Sequence, residues 1–293
     1  LWILDYQHFR AFGGFGQPNP FGALMGLALP LALGGGYGMI MAAWNAWRAQ
    51  NNAEMRLHLA AALCWLAGAA IIGAGLLASW SRGAWLGFGA AFLTLIVFAP
   101  RRRWIGALLA AGMAGVLWLS VITGLAPASL VARITDFAQD FTGLEDVRGR
   151  VINDDNYAVI ERLAHWQAAI GMANDSPWLG QGFGNYEAAY PRYALVNWPM
   201  ALGHAHNYYL NLLAETGVVG LAAYLIMGAA YVRLTLRCLR GTSGLRHGLA
   251  LGLLGAWAHL FVHSLFDKLF VNNLFLHIGA LLGLIVALLP AAN

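Results

Sequence analysis

Seven long apolar segments are the feature that most restricts how this chain can fold. A membrane-spanning helix needs about 20 largely apolar residues, and the segments are close to that length. With 60% hydrophobic and 10% charged residues, the chain is far from the roughly 45–50% and 25% that are typical of soluble domains. We therefore predict an all-α polytopic membrane protein that forms a single membrane domain over residues 1–293. The predicted spans are residues 21–43, 57–79, 84–99, 104–126, 208–231, 245–266 and 271–289.

The charges of the connections predict how the spans are oriented. Nine arginines lie in alternate connections, whereas the opposite short connections contain only Arg82 and Lys268. Because positively charged connections stay in the cytoplasm, we predict that the arginine-rich set is cytoplasmic. The segment before the first span, the two other turns and the long loop over residues 127–206 then face outward. The nine arginines are Arg48, Arg56, Arg101, Arg102, Arg103, Arg233, Arg237, Arg240 and Arg246.

The long loop is predicted to contain an amphipathic helix. Apolar residues recur at helical spacing from Val159 to Ile170, and Pro177 ends the pattern. The aromatic residues around and beyond this proline are typical of a surface in the membrane interface. The helix is then either a simple cover or a lid over a lipid-linked substrate. The aromatic residues are Trp178, Tyr186, Tyr190, Tyr193 and Trp198.

A net charge of +4 does not indicate a nucleic-acid partner. The arginines are scattered between apolar runs, and no basic face is interleaved with stacking aromatic residues. The two cysteines, Cys64 and Cys238, lie in or beside apolar segments rather than in the long loop. No disulfide framework and no cysteine-based metal site is therefore predicted.

Arg10 is the first candidate for binding an anion, because charge close to a span tends to mark a pathway or a site. It begins the sequence R-A-F-G-G-F-G-Q-P-N-P-F-G, whose glycines and prolines predict an irregular turn in which backbone can approach a ligand. The alternative is an interfacial arginine whose side chain reaches to lipid phosphate.

Arg82 is the second candidate, on the predicted outer turn S-R-G-A-W-L-G. Ser81 can cap the helix that follows, and the positive end of that helix adds to the guanidinium charge. Paired N–H donors suit a phosphate or pyrophosphate. The structural alternative is a small-residue packing face formed by Gly83 and Gly87.

The fifth span opens with the polar sequence H-A-H-N-Y-Y-L-N-L-L-A-E-T-G-V-V-G, and His206 lies at its mouth. Asn207, Asn211 and Glu215 follow at intervals of four, so they are predicted to form one polar stripe along the helix. Glu215 lies about 12 Å below Asn207 at the helical rise. An ionisable residue at that depth needs a partner or a cavity.

The sixth span carries a second polar row, with His259, His263 and Asp267 at the same spacing. Two histidines one turn apart can bind zinc, but a His–His–Asp hydrogen-bond chain explains the row equally well. Neither H-E-x-x-H nor a cysteine ligand set is present, and we predict no metal site.

At these residues the sequence resembles the O-antigen ligase family, which also contains O-antigen polymerases and protein O-oligosaccharyltransferases. The most specific match is H-N, nine residues and G-x-x-G, which begins at His206 and ends at Gly220. S-R-G-A-W at 81–85 and R…G-x-F-x-x-P-N at 10–19 match two further motifs. The stretches D-S-P-W-L-G-Q-G-F-G-N-Y at 175–186 and H-S-L-F-D at 263–267 are also similar.

The resemblance implies transfer of a glycan from undecaprenyl pyrophosphate to an acceptor on the outer face of the bacterial inner membrane. The acceptor is the lipid A core of lipopolysaccharide, a growing glycan or a protein, and the motifs do not separate these. Arg10, Arg82 and His206 correspond to the functional residues, with no metal or other cofactor. The chain starts without Met or a signal peptide, so we expect earlier spans to precede it. The resemblance implies about five of them, from the family's usual helix count.

The chemistry of these residue types agrees with that implication. Fixed guanidinium groups can stabilise the charge that develops on a leaving phosphate, and histidine is suited to accept the acceptor's proton near neutral pH. No D-x-D motif indicates a metal-dependent nucleotide-sugar enzyme. A transporter of a small anion such as bicarbonate and a non-catalytic scaffold are the rival hypotheses. The candidate substrate-binding residues are Asn207, Asn211, Glu215, Ser81, His263 and Asp267.

Overall fold

A computed structural model describes residues 2–5, 8–129, 131–132, 146–153 and 156–289. The described chain is mainly α-helical, with one short hairpin at its start and a single 3₁₀ turn at Tyr190–Arg192. The strands are β1 (Trp2–Asp5) and β2 (His8–Ala11). The helices are α1 (Pro18–Arg48), α2 (Asn52–Ala78), α3 (Arg82–Phe98), α4 (Arg103–Ile122), α5 (Tyr157–Asp175), α6 (Tyr186–Ala189), α7 (Tyr208–Gly241), α8 (Gly244–His263) and α9 (Leu274–Leu288).

All seven predicted apolar segments are helical, and five of them are long and apolar enough to cross a membrane. These five are α1, α2, α4, α7 and α8. The other two, α3 and α9, have 17 and 15 residues and stay predicted spans. Helix α7 continues to Gly241, so Arg233, Arg237 and Arg240 lie on this helix and not in a connection as predicted.

The segment that contains Arg10 differs from the prediction of an irregular turn. Strands β1 and β2 pair antiparallel, with Ile3 opposite Arg10, so Arg10 lies on a strand. The turn predicted from the glycines begins only after it, at Gly13. Helix α1 then starts at Pro18, a favourable first position because proline lacks the N–H that has no partner there.

The described residues form two compact units. The first contains residues 1–113, 229–263 and 269–293, and the second contains residues 114–228 and 264–268. In the first unit α1 packs on α2, α3 and α8. Its contact with α8 is close because a side chain at Gly38 or Gly252 would overlap backbone of the neighbouring helix. Small residues at these positions allow the two helices to approach closely.

The second unit has a hydrophobic core built on α5. The predicted apolar positions from Val159 to Trp166 are buried, and the helix ends at Asp175, just before Pro177, as predicted. Tyr186, Tyr190 and Trp198 are 0%, 0% and 7% exposed. The prediction that these three rings lie in a membrane-interface surface is therefore wrong. They are core residues, and both tyrosine hydroxyls donate to backbone carbonyls inside the unit.

Helix α7 is broken at Gly217, where φ is 63° and ψ is −166°. Residues 177–182 lie beside the break and exchange backbone hydrogen bonds with it. The N–H groups of Gln181 and Gly182 donate to the carbonyls of Ala214 and Glu215 at 2.9 Å, and Val218 donates to the Pro177 carbonyl at 2.8 Å. The groups that the break removes from the helix ladder are thus satisfied, which a helix in lipid requires.

Glycine is needed on both sides of this contact. A side chain at Gly217 would overlap the Trp178 carbonyl, and one at Gly180 would overlap the backbone of Glu215. Both residues also have positive φ, which other residues rarely adopt. Two of the quoted motifs, the stretch at 175–186 and the glycines after His-Asn, are therefore parts of one packed structure.

Candidate functional site

Arg10 is fastened to the turn that precedes Arg82. Its Nε donates to the Ser79 carbonyl at 2.9 Å, and its Nη2 donates to Asn19 Oδ1 at 3.0 Å. Ser79 caps the end of α2, and its hydroxyl accepts the N–H of Ser81 at 3.2 Å. Two of the predicted site residues, Arg10 and Arg82, are therefore brought to one turn of the first unit.

Arg82 is the first residue of α3 and is partly buried. Ser81 Oγ accepts the N–H of Ala84 at 3.4 Å, so the predicted helix cap is confirmed. The amides of this first helical turn and the guanidinium supply positive charge at the same place. Of the two glycines in the predicted small-residue face, Gly87 packs against His259 of α8. That packing explains why a glycine is present at position 87. It does not involve the Arg82 side chain, which stays a candidate for binding an anion.

His206 lies in a cluster of histidines in the second unit. Its φ is 52°, a left-handed conformation that is uncommon for a residue with a side chain and is enriched at functional sites. Its N–H donates to His204 Nδ1 at 3.1 Å. The ring centroid lies 4.3 Å from that of His204 and 5.8 Å from that of His165. Both ring nitrogens of His206 are enclosed and have no hydrogen-bond partner among the described residues.

Asp267 faces this histidine. The carbonyl of Ser264 accepts the N–H of Tyr208, the first residue of α7, at 2.8 Å, which docks the turn 264–268 on the start of that helix. Asp267 Oδ1 then lies 3.7 Å from His206 Nδ1, within ion-pair distance but longer than a hydrogen bond. A carboxylate in this position can orient an imidazole and stabilise its protonated form, as in catalytic triads.

The protonation states of the cluster follow from burial and charge. Burial, with repulsion from His206, lowers the pKa of His165 and of His204 to about 4. These two rings are therefore neutral near neutral pH. Burial alone would raise the pKa of Asp267, but attraction to His206, His204 and Arg162 brings it below the usual range. Asp267 is therefore the anion of the cluster.

The predicted polar stripe on the fifth span is bound to the backbone. Asn207 lies before the helix and caps it, accepting the N–H groups of Tyr209 and Leu210 at 3.0 and 3.1 Å. The prediction that all three stripe residues lie on the helix is therefore wrong for Asn207. Asn211 accepts an N–H from the loop at Ala205, 3.2 Å away, and Glu215 accepts one from Tyr186, 3.3 Å away. These contacts join the loop to α7, and substrate binding by the stripe stays a prediction.

The predicted row on the sixth span is interrupted. His263 Nδ1 and His259 Nε2 are 3.4 Å apart, so the His–His part of the predicted chain is present. Helix α8 ends at His263, however, and Asp267 belongs to the second unit with His206. The three residues therefore do not share one helix face, because the backbone turns before Asp267 is reached.

The sequence model of the O-antigen ligase family matches residues 67–225, more than half of the chain. The chain belongs to the O-antigen ligase family. The search of curated proteins found no match. The matched region includes Arg82 and His206, whereas Arg10 and Asp267 lie outside it. Family membership implies glycan transfer of the ligase or polymerase type and a lipid-linked glycan as substrate in general.

The second unit of this O-antigen ligase family member also contains three possible metal ligands. Ligand atoms of His204, His206 and Asp267 all lie within 4.8 Å of one another, so the cluster is not the histidine row considered from the sequence. Two cations oppose metal binding there. The charge of Arg162 acts on Asp267, and that of Lys268 acts on His204, and both repel a metal ion.

We expect glycan transfer by the purified protein to survive excess chelator, because arginine and histidine side chains are predicted to supply the charge and the base. Transfer rates before and after chelation, with a zinc-supplemented sample as control, measure this. Activity that is lost to chelator and regained with zinc would contradict it, and would make His204, His206 and Asp267 the candidate ligands.

Three residues of the site were missed by the sequence reasoning or were not assigned a role. His165 and Arg162 lie three positions apart on α5, and His204 lies two residues before His206. One feature of the sequence could have identified His165 and Arg162. They are ionisable residues in a helix whose other positions predict a buried apolar face, and His165 is 1% exposed.

Proposed function

We propose that this protein transfers a glycan from an undecaprenyl-pyrophosphate-linked donor to an acceptor hydroxyl, on the outer face of the bacterial inner membrane. The observation that carries the proposal is the pair formed by His206 and Asp267. The enclosed imidazole has no hydrogen-bond partner among the described residues, and its Nδ1 lies 3.7 Å from the carboxylate. The lipid A core, a growing glycan and a protein are the acceptors to be compared.

In the proposed reaction the acceptor oxygen attacks the anomeric carbon of the donor sugar. The bond between that carbon and the pyrophosphate oxygen breaks, and undecaprenyl pyrophosphate leaves with the electron pair. Arg10 and Arg82 bind the pyrophosphate and stabilise the charge it gains. His206 accepts the hydroxyl proton, and Asp267 stabilises the resulting imidazolium. The four groups that act on the substrates in this scheme are side chains of the protein.

Reconstitution tests the proposal directly. Purified protein in vesicles, supplied with a lipid-linked glycan donor and one acceptor class at a time, is expected to form the glycosylated acceptor. The rival hypothesis, transport of a small anion, is not supported by the family match. Wild-type protein that transfers no glycan but carries bicarbonate across the vesicle membrane would contradict the proposal.

The proposed outer face for the site makes a prediction about topology. Val196 in the loop is 92% exposed, and Arg102 lies exposed between α3 and α4. After the native Cys64 and Cys238 are replaced, a cysteine at position 196 should react with a membrane-impermeant thiol reagent in intact cells. A cysteine at position 102 should react only after the cells are permeabilised. The reverse pattern would refute both the orientation and the placement of the site.

A further inference from the structure

Helix α5 brings a third arginine to the histidine cluster. Arg162 precedes His165 by three residues, so the two side chains lie on adjacent positions of one helix face. The ring of His165 contacts the ring of His206, with centroids 5.8 Å apart. The positive charge of Arg162 also acts on Asp267 and helps to keep the pKa of that carboxyl low. Arg162 therefore lies close to the proposed catalytic pair.

One hydrogen-bond donor of the Arg162 guanidinium has no acceptor among the described residues. Its Nε is enclosed, and no hydrogen-bond partner is found for it among the residues that the structure describes. An enclosed charged donor without an acceptor is costly, and such groups require a specific explanation. Arg148 of the same loop shows the contrast, because its Nε donates to both carboxylate oxygens of Asp146, at 2.8 and 3.0 Å.

We infer that Arg162 is a third anion-binding residue of this site, and that it binds a phosphate oxygen of the donor beside His206. The planar fork of a guanidinium suits two phosphate oxygens at once, which supplies the missing acceptor for Nε. The inference rests on the proposed function and gives α5 a role in substrate binding. The other explanation is that Arg162 serves only as a counter-charge to Asp267.

Inorganic pyrophosphate is the probe that separates these two roles. Binding to the purified protein is measured by calorimetry for wild type, Arg162→Ala, Arg162→Lys and the control Arg192→Ala, which removes an exposed arginine of the same loop. Arg162→Ala should weaken binding about ten- to hundredfold, the effect of losing charge-assisted hydrogen bonds. Arg162→Lys should recover only part of the affinity because the fork is lost, and Arg192→Ala should bind like wild type.

Thermal unfolding of the same proteins tests the counter-charge explanation. Under our inference Arg162→Ala unfolds at the wild-type temperature and binds pyrophosphate weakly. A lowered unfolding temperature with unchanged pyrophosphate affinity would overturn the inference, and so would wild-type protein that binds no pyrophosphate. Arg162-dependent binding in a protein that transfers no glycan would uphold the anion site and refute the proposed function, so the two failures are distinguishable.

Discussion

His206→Ala should lower the turnover of glycan transfer about 10²- to 10⁴-fold, the usual contribution of a general base. The acceptor hydroxyl would still reach the donor, but no imidazole would accept its proton. Affinity for the lipid-linked donor should change far less, because in the proposed reaction the arginines bind the pyrophosphate. Initial rates at several donor concentrations in the reconstituted assay separate the two quantities.

The structure also determines which histidine can serve as the control. His204→Ala is unsuitable, because His204 Nδ1 accepts the N–H of His206 and so helps to fix the backbone of the proposed base. His277 on α9 is exposed, and His277→Ala should retain wild-type turnover. Normal transfer by His206→Ala would refute the catalytic assignment.

The pH dependence should have one sign. A general base must be neutral to accept a proton, so turnover should fall as the solution becomes acidic. The pKa values of His165 and His204 are both about 4, so these rings stay uncharged until the pH is well below neutral. A loss of turnover in mildly acidic solution therefore does not come from protonation of His165 or His204.

Arg82→Ala should abolish transfer in a protein that still folds. Removing one fixed donor that stabilises developing charge typically costs about 10²- to 10³-fold. Arg82→Lys should restore little, because an ammonium lacks the paired donors of the guanidinium. Transfer rates in the reconstituted assay measure both, with the exposed Arg102→Ala as the matched control. Near-normal transfer by Arg82→Ala would favour an interfacial arginine that only contacts lipid.

Arg10→Ala should show the same loss with an additional structural effect. Its guanidinium binds the Ser79 carbonyl and Asn19, so alanine also releases the hairpin from the turn. Arg10→Lys retains one charge and one of these bonds. It should therefore keep more thermal stability than Arg10→Ala while transferring almost as little glycan.

The helices were predictable because apolar length is a local property of the sequence. The seven apolar segments, the helix before Pro177 and the cap at Ser81 all depend on neighbouring residues. The aromatic residues of the loop were misplaced because tyrosine suits two environments equally. It is stable at a membrane interface and equally stable in a core where its hydroxyl finds a carbonyl, as Tyr186 and Tyr190 do.

The pairing of His206 with Asp267 could not be predicted, because it depends on contacts between distant parts of the chain. The sequence pattern predicted Asp267 on one helix with His259 and His263. In the structure α8 ends at His263, so Asp267 lies in the turn that follows the helix. The bond from Tyr208 to Ser264 then brings the carboxylate to His206. Arg162 and His165 were missed for a related reason. The spacing of apolar residues identifies the buried face of α5, but it does not show which residues elsewhere in the chain lie next to the polar side chains of that helix.

The break at Gly217 has a consequence for how the protein is assembled. Residues 177–182 pair with backbone groups of α7 around the break. Without them, the part of α7 around Gly217 would enter lipid with backbone N–H and carbonyl groups unpaired, which is costly. The loop precedes this helix in the chain, so it is synthesised first and is available as a template when the helix inserts. Chimeras between family members should therefore mature only when the loop segment and the start of α7 come from the same parent. When only the loop segment or only the start of α7 is exchanged, the two no longer fit each other, and the backbone hydrogen bonds between them are expected to be lost.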